Sequence, residues 1–317
     1  MSAESSELII IALGGNAIAA PGQIGSIEEQ FENTRRSLKG VVQCIEKGYN
    51  VVITHGNGPQ VGAALLRAEM ASEKVPVNPL GILVAETEGT MGYMIQQSLM
   101  NALQSVNLKK SVITLISQVL IDPDDDAFDK PTKPIGPEYD EWEAIKFRNE
   151  RNWILNENSH GKYRRVVASP APLEILEADV IEHLVESGMV VITAGGGGIP
   201  VKKDKQGNID GVDAVIDKDL ASSLLGKEIN ASILVLATAV DGVYLNYDTQ
   251  GRELLRKLSV EDAKRFLEVG HFPSGSMGPK VEAAIEFVEN GGDRAIICSV
   301  EEIMSAVSGK KGTEITI

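Results

Sequence analysis

The chain has 317 residues, 43% of them hydrophobic and 4% aromatic, with a formal net charge of −15. That length buries a substantial core in one large domain or two ordinary ones. So acidic a surface repels nucleic acid and anionic membranes, which excludes both as partners, and any anion site must be a local exception built from a few lysines and backbone N–H groups.

The apolar run 7–13 reads as a strand. It is too short for a membrane span and follows acidic rather than basic residues, so it is neither anchor nor signal peptide, and a cytoplasmic location is expected. Ser26 and Glu29 have capping-box spacing, and Ile27, Phe31, Leu38, Val41, Val42 and Ile45 recur at helical intervals until Gly48. A strand at 50–54, a helix after Pro59, a helix over 82–104 and a strand at 111–116 follow. The second half predicts a strand at 166–168, a helix from 173 to 187 stopped by Gly188, and a strand at 190–194. A helix after Asp219, a strand at 232–237, a helix after Met277, a strand at 295–299 and a short final strand in "TEITI" complete the series. Strands that are apolar throughout and separated by helices predict an α/β fold, with a mostly parallel sheet covered on both faces. No internal repeat or low-complexity linker divides the chain, and 1–317 reads as a single domain.

One region breaks this rhythm. From 122 to 165 the text is acidic and rich in proline, with Pro123, Pro131, Pro134, Pro137 and both tryptophans. It reads as a surface excursion with a helix around 141–151, and its length marks a lid or protruding subdomain rather than a mere loop. Cys44 and Cys298 are far apart and read as buried thiols. His55, His160, His183 and His271 are scattered without a ligand-spaced motif, so no resident metal site is expected.

Three strands end in glycine: "LGGNA" at Gly14 and Gly15, "HGNGPQVG" at Gly56 and Gly58, and "AGGGGIP" from Gly195 to Gly198. Each alone reads equally as a tight turn. Three at carboxyl ends of parallel strands point instead to an anion site, where N–H groups approach a phosphate or carboxylate closely. There is no G-x-x-x-x-G-K-[ST], which excludes a Walker-type NTPase, and "GNGPQVG" only approximates the dinucleotide fingerprint, after the second strand rather than the first. A second anomaly is "GVDAVIDKDLASSLL", where Asp217, Lys218 and Asp219 stand between two core-seeking segments. They are either N-capping and exposed charge or part of a site, and one aspartate can cap while the other works.

With these pieces together, the sequence resembles the carbamate kinases of the amino-acid kinase superfamily. The matching segments are "ALGGNA", "HGNGPQVG", "PTKPIG", "GGGGIPV", "GVDAVIDKDLASSLL" and "GSMGPKVEAAIEF", in order and over essentially the whole chain. "PTKPIG" is the most specific, because it belongs to a protruding subdomain typical of carbamate kinases and absent from many relatives. The resemblance implies a three-layer α/β/α sandwich on an open, mainly parallel sheet, with that subdomain inserted at 122–165. It implies a homodimer and the reversible reaction ATP + carbamate ⇌ ADP + carbamoyl phosphate with Mg²⁺ carried on the nucleotide, in the family usually running toward ATP at the end of fermentative arginine breakdown.

By the same resemblance, Lys218 contacts the transferred phosphoryl group and Asp219 orients the catalytic lysines by ion pairing. Lys280 binds ATP phosphates and bridges toward the transferred group, and Lys133 reaches the carbamate site when the subdomain closes. Gly14, Gly15, Asn16, Gly56, Asn57 and Gly58 supply N–H donors to carbamate and phosphoryl group. Tyr244, Met277 and Val281 are candidates for packing the adenine, or are simply core. The N-terminal part takes carbamate and the part from about 212 to 317 takes nucleotide. In one departure, Ala237 stands where relatives often carry threonine, and Thr238 follows one residue later. Kinases of the same superfamily acting on acetylglutamate, UMP or aspartate, a carbamate-kinase-like enzyme running mainly toward carbamoyl phosphate for biosynthesis, a silent nucleotide sensor, and a Rossmann-type oxidoreductase are the competing readings. "PTKPIG" and "SMGPK" weigh against the other superfamily kinases, and the three retained lysines with Asp219 weigh against the sensor; the biosynthetic direction uses the same active site, and NAD-binding titration tests the oxidoreductase.

Overall fold

The computed structural model describes residues 7–19, 22–158, 160–247, 251–272 and 277–317, with the side chain of Asn16 outside the description. Eight strands form the central sheet, in the order Lys257–Ser259, Thr313–Thr316, Arg294–Ser299, Ile233–Thr238, Leu8–Leu13, Asn50–His55, Val190–Ile192 and Val112–Thr114. Neighbours run parallel throughout, except that Thr313–Thr316 lies antiparallel to Arg294–Ser299. In register, Ile11 sits between Val235 and Ile53.

Alternation along each strand divides the core in two. Ile10, Ala12, Val52, Leu234 and Leu236 face helices Lys218–Glu228 and Met277–Glu289, through Leu225, Ala284 and Phe287. Ile9, Ile11, Leu13, Ile53 and Val235 face helices Ile27–Glu46 and Leu80–Ser105, through Leu38, Val41, Met91 and Ile95. Burial on both faces explains why these strands read as unbroken apolar runs. The result is the three-layer α/β/α arrangement expected from the sequence. Cys44 and Cys298 are free thiols within it, and burial pushes both up to about 12, which makes them inert.

The structure departs from the sequence reading in several places, and strand Lys257–Ser259 and helix Val260–Glu268 are absent from that reading altogether. The predicted helix over 173–187 begins only at Ala178, and Pro172–Ile175 is a strand, because Ile175 is claimed by pairing with Val119. Gln118–Ile121 and Ile199–Lys203, not predicted as strands, pair in parallel within a second, four-stranded sheet. The predicted strand at 111–116 is regular only over Val112–Thr114.

The excursion has its own architecture. Strands Lys133–Tyr139, Tyr163–Val167 and Leu155–Glu157 form an antiparallel sheet, and helix Glu141–Arg151 starts at a capping box of Asp140 and Glu143. Asn152, at φ +52°, ends that helix. Tyr139, Ala144, Trp153 and Leu155 make a small separate core, joined by Leu66 of helix Gly58–Met70. The same helix fastens the excursion to the body: Glu69 accepts hydrogen bonds from Arg151 Nη1 at 2.8 Å, Arg165 Nη1 at 2.7 Å and Trp153 Nε1 at 3.2 Å.

Gly62 of that helix lies against the Gly136 backbone so closely that a Cβ would stand 1.9 Å from the Gly136 nitrogen. A glycine-to-alanine change inside a helix ordinarily stabilises it by about 1 kcal/mol. Gly62→Ala should do the reverse, lowering Tm by at least about 2 °C and speeding limited proteolysis within 122–165. An unchanged or raised Tm would show that the excursion docks loosely.

Candidate active site

The loops that follow the central strands meet along the carboxyl edge of the sheet, where ligands bind in open α/β folds. The Gly14 N–H donates to the Ala237 carbonyl at 3.1 Å, and the Gly56 N–H to the Leu13 carbonyl at 2.9 Å, which locks the first two glycine loops side by side. A Cβ on Gly56 would stand 2.9 Å from the Gly15 nitrogen, so only glycine allows this approach. The third loop takes a supporting place. Gly196, Gly197 and Gly198 all have positive φ, and a Cβ on Gly196 would strike Asn57 Nδ2 at 2.1 Å. Asn57 also donates to Thr87 Oγ1 at 3.0 Å, so its side chain is fixed from two sides.

Behind these loops lies a buried acid. Glu88 Oε1 accepts from Ser117 Oγ at 2.8 Å and from the Gly195 N–H at 2.9 Å, and burial raises this carboxyl to about 7 despite those bonds. His55 beside it is fully buried. Burial, with the Lys218 charge adding to it, lowers the imidazole to about 4, so it is neutral and contributes no cation.

Helix Lys218–Glu228 resolves the question of the three clustered charges. Asp217 is its N-cap: Oδ1 accepts the Asp219 N–H at 2.8 Å. Its other oxygen accepts from Lys133 Nζ at 2.5 Å, so Asp217 both caps and belongs to the site. Lys218 and Asp219 are only 8% and 3% exposed and are bonded to each other. Asp219 Oδ2 also accepts from Lys280 Nζ at 2.6 Å. Burial opposes ionisation of Asp219, but the Lys218 and Lys280 ammoniums outweigh it and hold the carboxyl ionised, well below the usual range. Burial lowers Lys218, with Asp219 opposing and Lys280 assisting; Lys280, also buried, is raised on balance by Asp219. The helix start is braced further, since Ser222 Oγ donates to the Lys218 carbonyl at 2.6 Å and lies 2.7 Å from Thr54 Oγ1 of a central strand.

A cleft of about 950 Å³ runs along this edge. Gly14, Gly15, Gly56, Asn57, Gly58, Lys133, Lys218, Asp219 and Lys280 all line it. Because the central strands are adjacent in the order 294–299, 233–238, 8–13, 50–55 and 190–192, Val300 and Thr238 mark one end of the cleft and Gly196 the other. Tyr244 and Met277 are on the wall of the first end, with Ala239, Val240 and Phe272. Val281 is not on that wall; it is fully buried in the core. Asn16 lies in the short helical turn Gly15–Ala17, and its side chain lies outside the described residues. So do Ser274, Gly275 and Ser276 of "SGSMG".

Two basic residues of the cleft escape the motif reading, Arg36 and Arg164. Arg36 is an exposed residue of a helix picked out only by its apolar face, and nothing in the pattern distinguishes it. Arg164 had a signal: in a strand, the pair Arg164–Arg165 must send one guanidinium to each face. Among the described residues, no group of three His, Cys, Asp or Glu side chains is placed to hold a metal ion.

Comparison with known proteins agrees with this geometry. The family model for the amino acid kinase family matches residues 7–299. The carbamate kinase of Pyrococcus horikoshii is 48% identical over 98% of this chain and 99% of its own length. That of Staphylococcus haemolyticus is 45% identical over 96% and 98%. Among solved structures, the carbamate kinase from Giardia lamblia bound to citric acid superposes with a TM-score of 0.93 at 40% identity, covering 98% of this chain and 99% of that one. The same enzyme bound to AMP-PNP gives a TM-score of 0.90 at 40% identity, with the same coverage. The cleft, its three lysines and these full-length likenesses lead to one conclusion: the chain belongs to the amino acid kinase family and, within it, to the carbamate kinases.

Proposed function

We propose that the chain transfers a phosphoryl group reversibly between ATP and carbamate, giving ADP and carbamoyl phosphate. The observation that carries this reading is the convergence of Lys133, Lys218 and Lys280 on two ionised aspartates at the mouth of two glycine loops. A cleft of about 950 Å³ has room for a nucleotide beside a small acid.

The chemistry asks for positioning and charge, not for a base. A carbamate oxygen is already anionic and attacks the γ-phosphorus in line; the new P–O bond forms as the bond to the β–γ bridging oxygen breaks, and ADP leaves with that electron pair. No proton moves. The difficulty is repulsion between two anions, and fixed cations in a water-poor cleft remove it. In this reading Lys218, at a helix N-terminus, contacts the transferred group, and Lys280 bridges it to the nucleotide phosphates. Both oxygens of Asp219 are occupied by ammonium groups, so it orients lysines rather than accepting a proton. N–H groups of Gly15, Asn16, Asn57 and Gly58 face carbamate and the moving phosphoryl group, whereas those of Gly14 and Gly56, expected from the sequence to do the same, are spent on the Ala237 and Leu13 carbonyls and leave these two glycines to shape the loop wall. Tyr244 and Met277 flank the adenine, while buried Val281 supports the helix behind them.

The reading includes Mg²⁺ brought in on the nucleotide. Asp217 and Asp219, the two aspartates of the cleft, are engaged by lysines, which suits an ion held mainly by phosphate oxygens, where it would neutralise their charge. The family resemblance further supports a homodimer, a cytoplasmic location and the ATP-forming direction at the end of arginine breakdown. No helix among the described residues is long and apolar enough to cross a membrane.

Carbamoyl phosphate with Mg·ADP should yield ATP in a coupled assay, with acetyl phosphate a much poorer donor. Equal phosphoryl transfer to acetylglutamate or UMP would overturn the assignment. Lys218→Ala and Lys280→Ala should each lower kcat by roughly 10²–10³-fold, the scale of one preorganised electrostatic contact. Asp219→Asn should also lose activity, although it keeps size and hydrogen-bonding capacity; near-normal turnover in these variants would remove their roles. Lys133, carried on the excursion, is read as a lid cation. Lys133→Ala should reduce kcat by about 10-fold or more while calorimetric ADP affinity stays nearly unchanged. Joint loss of rate and ADP affinity would make Lys133 a nucleotide contact instead.

A further inference from the structure

Among the described residues no carboxylate forms an ion pair with Arg164; Glu138 acts on it only through space, and Asn158 Nδ2 donates to Glu138 Oε1. The two arginines of strand Tyr163–Val167 part to opposite faces, and their fates differ. Arg165 goes to Glu69 at 2.7 Å and lies over the Trp153 ring, 4.4 Å from its centroid. Arg164 turns to the cleft wall, beside the strand that carries Lys133 and Pro134. Its Nη2 donates to the Gly136 carbonyl at 2.9 Å, and that single anchor fixes the plane of the guanidinium. Its Nε is enclosed without a partner, and Nη1 has no acceptor among the described residues.

The three lysines around it each have a carboxylate partner. Lys133 has Asp217, and Lys218 and Lys280 share Asp219. Arg36 and Glu301 add one charge of each sign where helix Ile27–Glu46 meets the turn Val300–Glu302. With Arg164 the reaction end holds four cations against two aspartates. A half-buried guanidinium with unused donors is costly unless an anion completes it. A planar fork with one tooth anchored and another free suits a phosphate or carboxylate oxygen better than it suits adenine or ribose. Burial lowers the proton affinity of Arg164, but an arginine remains charged at any working pH.

We propose that Arg164 is a fourth substrate cation, whose free Nη1 donates to an oxygen of the carbamate–phosphoryl moiety from the subdomain side. The inference rests on the carbamate kinase reading and deepens it. The excursion then contributes two contacts to the small substrate, Lys133 and Arg164, both from the same pair of strands. Affinity for carbamoyl phosphate depends on Arg164, and affinity for the nucleotide does not.

Steady-state kinetics of Arg164→Gln in the ATP-forming direction test this, with sulfate as a dead-end mimic of the phosphoryl group. The expected result is a KM for carbamoyl phosphate raised about 10-fold or more, the loss of one charge-assisted contact, with a parallel rise in the sulfate inhibition constant. The KM for Mg·ADP should stay within about twofold of wild type. If Arg164 merely pins the Gly136 carbonyl, kcat falls through a displaced Lys133 while carbamoyl phosphate KM and sulfate inhibition stay put, and the proposal is overturned. Equal increases in both KM values overturn it too. Should Arg164→Gln not fold, Arg164→Lys keeps the charge but loses the fork; it should raise the carbamoyl phosphate KM severalfold, and an unchanged value counts against the proposal. Sulfate affinity of the wild-type and variant proteins, measured by calorimetry without turnover, reads the same contact independently of the reaction. A wild-type protein inactive with carbamoyl phosphate would therefore defeat the reading of function, whereas equal sulfate affinity of wild type and variant would defeat the role of Arg164.

Discussion

Asp219 holds two ammonium groups where little water reaches them. Separately, Lys218 and Lys280 would repel each other and lose their solvation. One shared carboxylate, itself buried and held ionised by the pair, makes the cluster tolerable. The fold exists in part to keep that triad in register. Helices Lys218–Glu228 and Met277–Glu289 pack on each other over the same sheet face, so the two lysines arrive from neighbouring helix starts. Thr54 and Ser222 tie the first of those starts to the sheet itself. The cluster keeps one more positive than negative charge, which is what a site for two anionic reactants requires.

Around that triad, the remaining parts supply shape. The glycine loops work as a stack in which each occupies space that a side chain on the next would need: Gly56 against Gly15, and Gly196 against Asn57. Glu88 holds Gly195 from behind with a carboxyl that burial has raised near neutrality, and His55 stays uncharged in the same layer. Glu88 gives its oxygens to Ser117 and Gly195 and pairs with none of the lysines. The excursion is attached through Glu69 and the Gly62–Gly136 contact, and it delivers Lys133 onto Asp217. Asp217 thus joins two elements, since it caps the helix that carries Lys218 and Asp219 and pairs with the excursion.

Much of this was legible in the sequence where one physical cause acts alone. Buried parallel strands read as apolar runs, Ser26 with Glu29 announced a helix start, and the glycine loops marked the ligand edge. Where two causes compete, the text misleads. Residues 173–175 have an apolar pattern compatible with a helix, and only a partner strand far away in sequence makes them a strand. Val281, a candidate for the adenine wall by resemblance or else core, is core, because the helix phase is set by Phe287 and Ala284 packing on the sheet. Asp217 could be read as a cap or as a site residue, and it is both. Arg164 lies in a segment whose strand alternation becomes visible only once its pairing with 133–139 is known.

The central claim is that Asp219 acts through the two lysines and not as an acid or base. A double-mutant cycle tests it most directly, comparing kcat/KM for Asp219→Asn, Lys280→Ala and the combined variant. Groups that act as one unit are strongly non-additive. The account predicts that the double variant is within about threefold of the worse single variant, because a displaced pair can be lost only once. Losses that multiply in full would mean that Asp219 and Lys280 act independently, and would contradict the account.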